Sequence, residues 1–330
     1  MQAKTFNSNR IILCFILSCL LSTTAQSYHY KKLTIFSSDY VYADRVQYGG
    51  PSSVTRSLYH GLENLGIPFN LNPKTEADIG DAVVVLSNIG FLQKAIALKK
   101  EKKIACLLAG PNLMVRSHEH NHIAASPEID TYLVNSIWTK VAYIEDEPSL
   151  ASHLAIWPAG VDEKYWAPTA QKNKKQISHV LVYQKNSNHQ TARSVLSLLE
   201  KYGIKPVSII YGSYSIPQYK QALDQCQYAI FIGGSESQGI ALAEAWSMDI
   251  PTLVYNLRKF NYAGKNFTIN SFCPFLTEKT GVDWRELGEL EGWIKAMPLC
   301  IDEFSPRAWT LENMTDTVCA QHLLKMIDAL

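Results

Sequence analysis

Residues 233–256, "GGSESQGIALAEAWSMDIPTLVYN", hold a glycine pair, two glutamates with seven residues between them, and an apolar run that starts at Pro251. The preceding "YAIFIGG" reads as a buried strand, because it is a short apolar and aromatic run closed by glycine. "SESQG" is then the loop at its carboxyl end, "IALAEAWSM" a helix, and "TLVYN" the next strand. Two strands joined through a helix run parallel, since parallel pairing needs a crossover connection.

The same alternation extends outward in both directions. Upstream and downstream of a break near residues 157–168, where Pro158, Gly160 and Pro168 interrupt periodicity, strands and helices alternate twice over. The first set has strands "KLTIFSS", "IPFNLN", "AVVVLS", "IACLLAG" and "TYLVNS", with helices at "SSVTRSLYHGLENLG" and "IGFLQKAIALKKEKK". The second has strands "HVLVYQ", "VSIIYG", "YAIFIGG" and "TLVYN", with helices at "TARSVLSLLEKYG", "IPQYKQALDQCQ" and "GIALAEAWSM". Continuous apolar strands imply parallel sheets covered on both faces. The expected fold class is α/β, with two facing Rossmann-like doubly wound domains, residues 30–158 and 159–330, and a cleft between them. The final helix is expected to pack back on the first domain.

Composition narrows the function. The 330 residues are 47% hydrophobic and 18% charged, which suits an ordinary globular protein with a core in each domain. A net charge of +1 from 31 basic and 30 acidic residues offers no field that would gather nucleic acid, so no nucleic-acid partner is expected. Removing residues 1–25 leaves Cys106, Cys226, Cys273, Cys300 and Cys319, an odd and scattered set that makes neither a metal spacing nor a disulfide framework.

Open α/β sheets bind ligands outside the carboxyl ends of their strands. The first N–H groups of the helix at Gly239, Ile240 and Ala241 would therefore point into the cleft. Unpaired N–H groups at a helix start favour an anion such as phosphate, and Gly239 lets it approach the backbone. Glu244, about one turn into that helix, could accept both hydroxyls of a ribose diol, while Glu236 on the loop lies nearer the reacting end of a bound donor. A helix-surface charge and a turn residue would look the same in isolation.

The stretch "ESQGIALAEAWSMDIPTLV" resembles the signature of retaining GT-B glycosyltransferases, notably glycosyltransferase family 4, keeping Glu236, Gly239, Leu242, Glu244, Ala245 and Pro251. "GVDEKYWAP", residues 160–168, resembles the segment linking that family's two domains. "YGGPSSVTRSLYHGLENLG" resembles its N-terminal glycine-pair loop and first helix, which brings Gly49 and Gly50 to the donor or acceptor. The resemblance implies transfer of a sugar from a nucleotide-diphosphate donor to a hydroxyl acceptor with retention of configuration, and neither a metal nor a separate cofactor. The acceptor, whether glycan, lipid or small molecule, is left open.

The pattern departs from the family after the first strand of the second domain. An arginine usual there is replaced by Lys185 in "VLVYQKNSNHQ", and no later Lys-Gly pair follows. Lysine supplies a point charge without the planar fork of arginine. His118, in "SHEHNH" with His120 and His122, follows a first-domain strand and is a candidate sugar contact; a surface loop or a metal site are its alternatives. Trp138, Trp157 and Trp166 read as packing residues.

The N-terminus adds a location. Lys4 and Arg10 precede the apolar run "IILCFILSCLL", followed by Thr23 and Ala25, which is the anatomy of a secretory signal cut after Ala25. Its 11 apolar residues fall short of the roughly 20 needed to span a bilayer, so a short membrane segment left uncleaved is the weaker alternative, and a lipoprotein box ending at Cys19 weaker still. Export is the expectation, with a cytoplasmic, membrane-associated protein as the alternative and peripheral membrane contact left open. Two rival functions share the architecture: a nucleotide-sugar epimerase and a non-enzymatic exported sugar- or nucleotide-binding protein.

Overall fold

A computed structural model describes residues 30–38, 49–169, 176–185, 189–256, 258–262 and 264–330. The signal-like residues 1–25, and residues 186–188 beyond Lys185, lie outside them.

The first half builds a six-stranded sheet from β1 (Leu33–Phe36), β2 (Phe69–Leu71), β3 (Ala82–Ser87), β4 (Cys106–Asn112), β5 (Thr131–Val134) and β6 (Leu154–Ile156). Its order is β2-β1-β3-β4-β5-β6, and every pairing is parallel. The helices are α1 (Gly50–Asn64), α2 (Ile89–Lys100), the short turn α3 (Glu119–His122) and α4 (Ile137–Asp146). Side chains alternate across the sheet, so both faces are buried. Leu33, Ile35, Val84 and Leu108 pack with α1, while Phe36, Val83, Val85 and Leu107 pack with α2.

The second half holds a five-stranded parallel sheet of β7 (His179–Lys185), β8 (Lys205–Ile210), β9 (Tyr228–Gly233), β10 (Thr252–Tyr255) and β13 (Gly281–Trp284), ordered β13-β10-β9-β7-β8. Between β10 and β13 an antiparallel hairpin, β11 (Phe260–Tyr262) and β12 (Lys265–Phe267), leaves the sheet. The helices are α5 (His189–Lys201), α6 (Ile216–Gln225), α7 (Ile240–Ser247), α8 (Leu287–Cys300), α9 (Pro306–Asn313) and α10 (Asp316–Asp328). Val180, Val182 and Leu253 pack with α5 and α8, and Leu181, Tyr183 and Phe231 with α6 and α7.

The two halves are tied at several points. Ala320, Leu323, Leu324 and Ile327 of α10 enter the core beneath the first sheet, and Trp157 Nε1 donates to the Cys319 carbonyl at 2.9 Å. Gln238, 5% exposed, clamps the backbone of Ala159: its Oε1 accepts from the amide at 2.8 Å and its Nε2 donates to the carbonyl at 2.6 Å. The hairpin docks Phe260, Tyr262 and Phe267 against Trp138 and Ala142 of α4. Trp138, Trp157 and Trp166 are all buried, in keeping with packing roles.

Candidate functional site

In the second sheet the strand order reverses between β7 and β9, which is where ligands enter doubly wound folds. Lys185 ends β7 directly beside Gly233 at the end of β9. A Cβ at Gly233 would come within 2.2 Å of the Phe272 ring, so only glycine lets the chain leave the strand there. The loop beyond is pinned from both sides. The Glu236 amide donates to the Ser271 carbonyl at 2.7 Å, and its carbonyl accepts from Trp138 Nε1, across the cleft, at 2.7 Å. Gly239 then adopts a φ of +86° as the N-cap of α7, a conformation that favours glycine.

These turns surround a cavity of about 560 Å³ in the cleft. Of the nine residues singled out from sequence, eight line it: Gly49, Gly50, Lys185, Glu236, Gly239, Ile240, Ala241 and Glu244. His118 does not. The chain turns away after Asn112 and carries His118 to the end of α4, where Nδ1 lies 3.7 Å from Asp146 and the side chain is 41% exposed. The structure thus places His118 outside this cavity's lining, at a half-exposed position beside Asp146, in keeping with the surface-loop alternative. Among the described residues no three His, Cys, Asp or Glu side chains gather into a group that could hold a metal ion.

Lys185 Nζ lies 2.7 Å from Glu236 Oε1 and 2.9 Å from Oε2, and 4.1 Å from the centroid of the Tyr211 ring. Both partners of the pair are largely buried, so each limits the cost of desolvating the other. Burial pushes the Glu236 carboxyl above its ordinary range, and the Lys185 ammonium opposes that rise. Glu244 has less help. Burial pushes its carboxyl up to about 8, against the pull of Arg56.

Gly49 and Gly50 stand at the start of α1 on the opposite wall. A Cβ at Gly50 would meet no heavy atom within 4 Å, and one at Gly49 would meet only Pro51 Cδ at 3.9 Å. Packing among the described residues does not demand glycine at either position.

Several lining residues escaped the sequence reading. Tyr183, Tyr211 and Tyr214 form an aromatic floor, with the Tyr183 and Tyr214 hydroxyls 3.2 Å apart, and Asn112 and Asn135 close the first-sheet side. Tyr183 and Asn135 could have been found from their places at strand ends. Asn112 and Tyr211, at or just past the ends of β4 and β8, carry the same signal, whereas nothing local distinguishes Tyr214 from an ordinary loop residue.

No protein-family model matches the chain, and no curated protein matches it significantly. Solved structures do. The apo form of the lipopolysaccharide outer core galactosyltransferase WaaB is similar at a TM-score of 0.58 and 12% identity, over 91% of this chain and 99% of that one. An alpha-glucosyltransferase in complex with UDP and a 13-mer DNA containing a HMU base gives 0.55 and 8%, over 90% and 99%. The catalytic domain of starch synthase IV from Arabidopsis thaliana, bound to ADP and acarbose, gives 0.51 and 10%, over 86% and 79%. Likeness at such identities concerns architecture, and the chain has the GT-B fold. The narrower resemblance to family 4 is carried by the sequence motifs alone.

Proposed function

We propose that the protein is a glycosyltransferase that moves a sugar from a nucleoside-diphosphate donor to a hydroxyl acceptor, with retention of configuration. The observation that supports this best is the gathering of the two glutamates, Lys185 and the α7 N-terminus around one cavity at the strand-order reversal. The structural neighbours favour the same reading, since one of them was solved with UDP and another with ADP.

In this reading Glu244 takes the ribose diol, giving one carboxylate oxygen to each hydroxyl. The diphosphate lies against the α7 N-terminus and Lys185, which stabilise the negative charge that grows as it leaves. The acceptor's hydroxyl oxygen bonds to the anomeric carbon while the bond from that carbon to the diphosphate oxygen breaks. The bonding electrons stay with the diphosphate, and the hydroxyl proton passes to the departing phosphate oxygen. Glu236, held by Lys185, orients the transferred sugar. This chemistry requires the compartment that holds the protein to supply an activated sugar; an exported protein would meet one in a secretory lumen.

A thermal-shift and calorimetric screen of the protein against nucleotide sugars, nucleoside diphosphates and free sugars tests the reading. Saturable binding of at least one nucleoside diphosphate, followed by release of that diphosphate when acceptors are added with the matching nucleotide sugar, is the expected result. Binding of free sugars without any nucleotide would replace the proposal with a sugar-binding protein. Turnover of the nucleotide sugar to its epimer without diphosphate release would replace it with an epimerase.

A further inference from the structure

Beside the first cavity lies a second of about 430 Å³, bounded by the end of β4, by α4 and by the β11–β12 hairpin. The two share Pro51, Asn112, Asn135 and Ser237, so they adjoin across a polar boundary, the neck. Beyond the neck the character changes to Leu113, Met114, Val134, Trp138, Ala142 and Tyr143. The outer wall comes from the other half of the chain: Tyr262 of the hairpin donates its hydroxyl to the Val115 carbonyl at 2.6 Å and packs edge-on to Trp138, with ring centroids 5.8 Å apart.

The neck and the chamber point to different parts of one ligand. Asn112, Asn135 and Ser237 give the neck neutral hydrogen-bonding side chains, which suit a hydroxyl. Apolar walls are rewarded only by apolar surface. Tyr262 lines the chamber together with Trp138, and a volume of about 430 Å³ suits a body of aglycone size.

Resting on the reading above, we propose that the second cavity receives an acceptor with an apolar body, its reacting hydroxyl held at the Asn112–Ser237 neck and its body against Met114, Trp138 and Tyr262. The chemistry shared by an alkyl and an aromatic acceptor is the same here, namely a hydroxyl beside a hydrocarbon surface.

Calorimetry on the whole chain saturated with its nucleoside diphosphate tests the proposal. The probes are octyl and 4-nitrophenyl β-D-glucosides and β-D-galactosides, the octyl compounds below micelle formation, each set against its free sugar. At least one glycoside is expected to bind tenfold or more tightly than its parent sugar, the octyl arm identifying an alkyl source and the nitrophenyl arm an aromatic one. Met114→Trp, which fills the chamber, is expected to erase that advantage while leaving nucleoside-diphosphate affinity within twofold. Met114→Ala, which enlarges the chamber, guards against a folding effect and should keep the preference. Glycosides that bind no better than their sugars, or an advantage that survives Met114→Trp, would overturn the proposal while nucleotide binding still stands. Absence of nucleoside-diphosphate binding in the unaltered protein would remove the glycosyltransferase reading and this inference with it.

Discussion

On the second-sheet side of the cleft one lysine and two glutamates, Lys185, Glu236 and Glu244, line the first cavity. On the first-sheet side the same cavity is lined by Gly49, Gly50, Ser53, Asn112 and Asn135, which carry no charge. The contrast matches what the proposed ligands would ask of each wall. A diphosphate and a ribose diol need a cation, N–H donors and an acceptor-only carboxylate, whereas an acceptor hydroxyl needs neutral hydrogen-bonding groups and space. Charge in a recessed site is also costly unless it is answered. Glu236 is answered by Lys185 at 2.7 Å, and Glu244 only by the more weakly acting Arg56, which is why burial carries its carboxyl up to about 8. The two glutamates therefore meet burial with unequal compensation.

Removing the cation is the strongest way to break this arrangement. Lys185→Met leaves the Glu236 carboxylate buried without its partner, and we expect a loss of about 2–3 kcal/mol in stability by urea unfolding, below the usual range for a fully buried pair. The discount reflects the residual exposure of 19% and 16% of the two side chains. Lys185→Met with Glu236→Gln should restore most of the stability but not the affinity for nucleoside diphosphate. Recovery of both would show that Lys185 serves only to neutralise Glu236. Bare nucleoside should bind either variant nearly as well as the unaltered protein, because the lost contribution is attraction between charges.

Glu244 gives the next largest effect. Glu244→Gln should weaken nucleoside-diphosphate binding by about 1–3 kcal/mol, the scale of a hydrogen bond to a charged group, with the fold intact. Unchanged affinity in a folded variant would remove the residue from the ribose site.

The same residue predicts a pH dependence of definite sign. Its carboxyl titrates at about 8 in the folded protein against an ordinary value of 4.5, so between those values the folded state holds a proton that the unfolded state has lost. Its contribution should therefore make stability fall as pH rises through that window, and Glu244→Gln should flatten that part of the curve. A ligand that needs both carboxylate oxygens as acceptors must expel the proton. Calorimetry of bare nucleoside at pH 7 in buffers of different ionisation enthalpy should show proton release, absent in Glu244→Gln. Proton uptake instead would mean that the neutral acid is the binding form.

The contrast between the walls also marks how far the sequence could be read. The second-sheet wall is compressed into one strand, loop and helix, so Glu236, Gly239 and Glu244 stand at spacings that local chemistry can interpret. "AVVVLS" is β3 in full, and "YAIFIGG" contains β9, because buried parallel strands leave continuous apolar runs. The first-sheet wall is assembled from the start of α1 and the ends of β4 and β5, places far apart in the chain. Asn112 ends β4, but its position at the neck depends on how β4 and α4 pack. Gln238 sits within the motif and still gave no sign that it would clamp Ala159, 79 residues away. The β11–β12 hairpin is three residues on each side, too short for a periodic signal, and its aromatic residues are buried only because α4 lies opposite.

The smallest expected effect is at His118. A histidine that follows a first-domain strand can face the cleft only if the chain continues in the strand's direction. Here Pro111 to Ser117 carry it sideways, and Arg116 anchors the new course through two bonds to Asp146, at 3.0 and 2.9 Å. Asp146 is already satisfied by that arginine, with Lys265 of the hairpin 3.5 Å away, so the His118 ring at 3.7 Å adds a half-exposed neighbour to a completed cluster. His118→Ala should then change stability by no more than about 0.5 kcal/mol, the usual range for a surface substitution, and leave nucleoside-diphosphate affinity unchanged. Arg116→Ala, by contrast, removes the partner of a nearly buried carboxylate and should destabilise the segment that forms the floor of the second cavity. A tenfold loss of nucleotide affinity in His118→Ala would mean that the β4–β5 connection swings His118 into the cleft when ligand binds. The uncharged character of the first-sheet wall would then hold only for the empty cavity.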